Sequence, residues 1–389
     1  MKKLFLGIFV VTALGAVSCK KKKVNNLKEE FRVTYADIVH ASYEDSYNKA
    51  VEMQTTINSF VDAPTDAGFT ACKNAWLAAR EPYGQTEAYR FANGPIDDAD
   101  GPEGALNAWP LDEGYIDYVD GMAMSGIVND GTTTIDAATL AGLNEAGGEK
   151  NISIGYHAIE FLLWGQDDAN TALLTPGQRP YTDYLTTGGT ASNQDRRGDY
   201  LKVVAQILVD DLNSLVQEWK EGGSYRTSFL AEDIDVSIAN ILTGMGVLSK
   251  SELAGERVFV ALDNQDQEDE HSCFADNTHR DIILNFVGIQ NIYNGAYTRV
   301  DGTVVSGTSL ADVIEKQDKK LKEQLDAAFS AANAAVNAIP VPFDNALTLE
   351  TAGGSGAINT AVTELQALGD LIAEMGSELG LTINTALPE

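Results

Sequence analysis

The sequence predicts an all-α protein of two bundle-like helical halves, with at most a small β-hairpin. Three observations carry this reading. Apolar residues recur at helical intervals through most of the chain, and strand patterns are nearly absent. The chain has 389 residues, whereas single hydrophobic cores seldom grow beyond ~250–300.

The elements follow in order. Lys2 and Lys3 precede an apolar run from Leu4 to Val17, too short to span a membrane as a mature helix. Residues 1–18 therefore read as a signal peptide. Ala16-Val17-Ser18-Cys19 resembles a bacterial lipobox, which implies cleavage before Cys19 and a lipid on that cysteine. Ordinary secretory cleavage nearby is the alternative. Both place the protein in the cell envelope, and a lipid would anchor it in the periplasm or at the outer membrane. Residues 19–26, with Lys20 to Lys23, read as a polar tether.

Residues 27–60 carry Phe31, Tyr35, Ile38, Val39, Tyr43, Tyr47, Val51 and Ile57 at helix-like spacing. Thr65 or Asp66 can cap a second helix bearing Trp76, Arg80, Tyr83, Glu87 and Arg90, with a kink or interruption expected at Pro82. Ala92 to Gly114 is rich in Gly, Pro and Asp and reads as loop. Further helices are expected over 193–220, 234–262, 309–339 and 356–380, the last repeating Ile358, Val362, Leu365, Leu368, Ile372 and Met375. Arg299 to Val305 fits an Asp-Gly hairpin. The break between halves falls at Gly222-Gly223-Ser224, giving halves 27–222 and 223–389, although this run also reads as a helix–helix turn.

Charge narrows the partners. Removing residues 1–18 leaves 371 residues; it takes away two lysines and no acid, so the formal charge moves from −30 to −32. A body so acidic argues against nucleic acid, whose phosphates need clustered Lys and Arg. After Cys19 only Cys72 and Cys273 remain. They can form one disulfide in an oxidising compartment, but they are no zinc framework, so a metal site must use His and carboxylates.

Two segments carry candidate chemistry. Gly155-Tyr156-His157-Ala158-Ile159-Glu160 sets an imidazole and a carboxylate three residues apart in an otherwise apolar helix. Residues three apart share a helix face, and buried polar groups need partners. A metal, each other, or another charged segment would satisfy them. The second segment, 268–281, holds Glu270, His271, Ser272, Asp276 and His279, two of the chain's four histidines among acids. Thr278 and Asp281 have capping-box spacing there, and the acidic run is ordinarily a solvated face. His40, in the first helix, reads as structural or exposed.

Together these residues resemble the imelysin-like family. The Gly-x-His-x-x-Glu motif of Gly155, His157 and Glu160 is its signature. Trp76 to Tyr83 with Glu87, Tyr89 and Arg90 extends the likeness, and Glu270 to His279 looks like its iron-regulated branch. The resemblance implies a site where two helical halves meet and a role linked to bacterial iron uptake. It also implies two function classes, because the family name comes from an insulin-cleaving peptidase activity.

A zinc peptidase needs three protein ligands, an open position for water and a general base. Here His271 or His279 would have to complete His157 and Glu160, and no base is left over. A binding protein needs less. His157 and Glu160 would form one side of a metal site and Glu270, His271 and Asp276 the other. Such mixed ligands suit iron, zinc or manganese, with iron expected first and zinc second. Trp76, Arg80, Tyr83, Glu87, Arg90, Ser272 and His279 would line the pocket, and Arg80, Arg90 and Arg257 would orient carboxylates or hold an anionic metal chelate. Expected partners are the metal or its chelate, the membrane through the lipid, and iron-transport proteins. A non-catalytic envelope interaction protein is the third class.

Overall fold

The computed structural model describes residues 4–99, 101–167 and 175–387, with side chains from Lys20 onward. The lipidation expectation at Cys19 lies outside the described side chains, as does the signal-peptide reading of 1–18. The first helix, Leu4–Asp62, is the spine of the fold. It buries Phe31, Tyr35, Ile38, Val39, Tyr43 and Ile57. The tether expected over 19–26 is instead helical, and Val24 is already buried. Lysines are good helix formers, and extending an existing helix needs no new nucleus.

This helix touches both parts of the chain. Lys28 Nζ lies 2.7 Å from an Asp235 oxygen, and Asp45 accepts the Tyr297 hydroxyl at 2.9 Å. Farther along, Phe60 packs on Phe69 and Tyr184, each at 5.1 Å between ring centroids. One hydrophobic cluster runs from Val24 to Met375 across the 222/223 divide. The halves therefore share a core along the first helix.

The second helix, Asp66–Thr86, starts at Thr65, whose Oγ1 accepts the Gly68 N–H at 3.1 Å. Pro82 sits inside it without ending it. Against it lies the Thr278–Asn294 helix. Glycine makes this approach possible: a Cβ at Gly288 would fall 2.2 Å from the Gln85 carbonyl oxygen. Asn285 Nδ2 then reaches the Gly84 carbonyl at 3.0 Å. The candidate site is held by this pair of helices together with Gly155–Trp164.

The 193–220 and 356–380 helices fall where the periodicity put them, whereas the second helix stops at Thr86, short of Glu87 and Arg90, the expected 92–114 loop holds a one-turn helix Glu103–Leu106, and two longer stretches divide. The 234–262 stretch is Ile234–Val247, then a π-helical Leu248–Phe259, then Val260–Asn264. The wider π turn brings residues five apart together, so Arg257 Nε donates to Glu252 at 3.1 Å. The 309–339 helix divides into Leu310–Gln317 and Lys319–Val336. Asp318 breaks it by accepting the N–H groups of Lys320 and Leu321 at 2.8 and 3.1 Å. The hairpin pairs Ala296–Thr298 with Val304–Ser306, antiparallel, with Tyr297 opposite Val305 and Gly302 in the turn at φ 83°. Cys72 and Cys273 are buried and free, so the disulfide allowed by their number does not form.

Candidate metal centre

The Gly155–Trp164 helix is buried along its whole length. Gly155 has φ 90°, and a Cβ there would lie 2.8 Å from the carbonyl oxygens of both Ala105 and Leu106. The glycine of the motif therefore lets the preceding loop close over the helix start. Two residues on, His157 Nδ1 lies 2.8 Å from Glu160 Oε2. The other Glu160 oxygen accepts the Ala275 N–H at 2.9 Å. His157 Nε2 is buried with no hydrogen-bond partner among the described residues.

The 268–281 segment meets this helix, as expected. The ring of His271 stands 5.3 Å from that of His157 at 84°, and its Nδ1 also lacks a partner among the described residues. Trp109 packs on both, at 4.8 Å from His157 and 5.8 Å from His271. Phe274, 5.2 Å from Phe161, completes the apolar surround.

Burial holds both imidazoles well below the ordinary histidine range, and the Arg80 and Arg257 guanidiniums push them the same way. Neutral imidazole is the form that binds metals. Burial raises Glu160 while Arg80 opposes the shift. One nitrogen of His157 is thus committed to a carboxylate, and the other, Nε2, is left without a partner among the described residues.

Apart from His279, the expected pocket residues join one network of ion pairs, hydrogen bonds and ring contacts. Arg80, fully buried, bonds Asp281 at 2.9 Å and donates to Asn107 Oδ1 at 2.5 Å. Its guanidinium lies 5.1–5.6 Å from the ring centroids of Trp76, Tyr83 and Tyr156. Trp76 Nε1 donates to the Tyr156 carbonyl at 2.9 Å. Glu87 meets Arg257 at 2.5 Å and Arg90 at 3.4 Å; despite burial, these two arginines hold its carboxyl down to about 2. Ser272 donates to Asp281 at 2.5 Å. His279 is half-buried, and nothing places it at the imidazole pair.

Two expectations are corrected. Thr278 and Asp281 make no capping box. Asn277 is the N-cap residue, Thr278 donates to the His271 carbonyl, and Asp281 is drawn away by Arg80 and Ser272. A buried arginine outcompetes one backbone N–H for a carboxylate. The five expected ligands also divide. His157 meets Glu160 and packs on the His271 ring, whereas Glu270 lies against Asp344, and Asp276 clusters with Asp167 and Asp344. Adjacent side chains in the extended backbone at Glu270 and the left-handed backbone of Ser272 (φ 62°) and Asp276 (φ 53°) send neighbours to different places.

Sequence reasoning missed Trp109, Asn107 and Asp344. Trp109 and Asn107 sit in the Gly/Pro/Asp-rich loop, where no periodicity marks them. A lone tryptophan in so polar a segment was the one available signal.

A helical protein with a buried imidazole pair, one of them fixed by a carboxylate on its own helix, is what the geometry defines. The chain belongs to the imelysin family, whose model matches residues 39–372. It is 27% identical over 345 residues to iron-regulated protein A of Synechococcus elongatus, covering 86% of this chain and 82% of that protein. Its fold is similar to that of a protein described as an iron-regulated protein A precursor from Parabacteroides distasonis, with TM-score 0.69, 21% identity and coverage of 91% and 95% of the two chains. An imelysin-like protein from Psychrobacter arcticum gives TM-score 0.59 at 13% identity, covering 94% and 96%.

Proposed function

We infer that this protein binds a transition-metal ion through His157 and His271, with iron the first candidate and zinc the second, in a role linked to bacterial iron uptake. The observation that carries the reading is the pair of buried ring nitrogens, His157 Nε2 and His271 Nδ1, left without partners among the described residues. Leaving buried polar atoms unpaired is costly, and a metal would satisfy both. Glu160 then acts as the carboxylate that fixes the tautomer and angle of a ligating histidine. Iron is favoured because the relatives above are iron-regulated proteins by name.

The peptidase alternative is weaker. Both Glu160 oxygens are engaged, which leaves that carboxylate unsuited to activate water. We place the mature protein in the cell envelope, anchored through a lipid on Cys19 and handing metal or a metal chelate to iron-transport proteins. Calorimetric titration with zinc and with ferrous iron tests the site. One equivalent should bind the wild type and none should bind a folded His157→Ala/His271→Ala variant. Equal binding by the variant would overturn the reading. Recovery of a Cys19→Ala variant in the soluble fraction, with wild type in the membrane fraction, tests the anchor.

A further inference from the structure

A second set of donors shares no residue with the imidazole pair. Carboxylate oxygens of Asp167, Asp276 and Asp344 all lie within 4.8 Å of one another, the one such group of three or more donors among the described residues. They come from three separate parts of the chain. Asp167 follows the Gly155–Trp164 helix, Asp276 sits in left-handed backbone before the Thr278–Asn294 helix, and Asp344 opens Phe343–Leu349.

Acidic clusters are common on surfaces, and this one differs in two ways. Asp344 is 2% exposed, and its Oδ1 has no hydrogen-bond partner among the described residues. Glu270, 0% exposed, lies carboxyl to carboxyl against Asp344, and no N–H among the described residues reaches either of its oxygens. The Thr278 hydroxyl beside Glu270 donates to the His271 carbonyl instead. Asp344 and Asp276 are the chief charges acting on Glu270, and Asp344 is the chief charge acting on Asp276. Like charges gathered out of water demand either shared protons or a cation.

We propose that Asp167, Asp276, Asp344 and Glu270 form a second cation site, separate from the imidazole pair, for a hard multivalent ion that takes oxygen ligands. The donor set argues for that class. Carboxylates without imidazole or thiolate suit calcium-like or ferric ions, whereas the two histidines suit borderline metals. This site stands or falls independently of the imidazole pair.

Terbium serves as the probe, titrated by equilibrium dialysis into the full chain. One equivalent should bind saturably to the wild type and equally to His157→Ala/His271→Ala. Asp276→Asn/Asp344→Asn should bind at least tenfold more weakly while keeping its helical circular dichroism and its zinc binding. Neutralising packed like charges should not unfold the chain, and Glu270→Gln alone provides a second, milder variant with the same expected direction. Competition then identifies the ion, calcium displacing terbium for one class and ferric citrate for the other. Absence of saturable binding, displacement by neither ion, or undiminished binding in both carboxylate variants would overturn the proposal. Loss of zinc from the histidine variant with terbium retained separates the two sites.

Discussion

His157 Nδ1 lies 2.8 Å from Glu160 Oε2, one helical step away on the same buried face. That bond decides which edge of the imidazole a ligand can meet. It also explains why the motif spaces the two residues by three, since only i,i+3 or i,i+4 pairs face one another on a helix. The carboxylate is held in turn by the Ala275 N–H, so the loop carrying His271 and the helix carrying His157 are fastened together through Glu160.

Glu160 therefore positions rather than ligates. Glu160→Gln keeps an oxygen for Ala275 but removes the carboxyl behind the imidazole. We predict a folded protein whose zinc affinity falls by ~10–100-fold, the usual effect of losing such a partner. Zinc titration measures it, and wild-type affinity in the variant would contradict the assignment.

Arg80 and Asp281 form a buried pair with 2% of each side chain exposed. Removing one member leaves a charge stranded. Arg80→Met should cost ~3–5 kcal/mol in urea unfolding. The double variant Arg80→Met/Asp281→Leu should recover most of that loss, because no lone charge remains.

Gly155→Ala would put a methyl group in left-handed backbone and against two carbonyl oxygens 2.8 Å away. Strain of this kind is worth ~1–3 kcal/mol. Thermal unfolding should show a loss in this range or above, and the loop bearing Trp109 should shift, which tryptophan fluorescence reads.

Both histidines are depressed below the ordinary range. Histidines at the ordinary value, ~6.5, gain protons as the pH falls below it, and each then costs a metal about tenfold per pH unit. Here the imidazoles remain neutral through that window. Zinc affinity should be nearly flat from about pH 8 to about pH 6 and fall only at lower pH. A decline beginning near 6.5 would show that the rings titrate as exposed histidines do.

How much of this was legible in the sequence depends on distance along the chain. His157 and Glu160 are three residues apart and carry a recognisable pattern, and His271 stood out as a histidine among acids near a helix start. The helices announced themselves through apolar periodicity. Asp281 was misread because a local cap was visible, whereas its true partner Arg80 lies 201 residues away. Trp109 is placed by a loop without periodicity, and Asp344 by a short helix late in the chain. Closeness in the chain makes Glu270 and Asp276 read as partners of His271, whereas the fold sets both beside Asp344. Backbone φ at Ser272 and Asp276, which turns those side chains apart, leaves no mark on composition or spacing.

Imidazoles holding the metal would leave their mark on its spectrum. Iron X-ray absorption on the stoichiometrically loaded full chain tests this most directly. The wild type should show multiple scattering from two imidazole rings, lost in His157→Ala/His271→Ala. A shell of oxygens alone, unchanged in that variant, would contradict imidazole ligation and move the iron to the carboxylates.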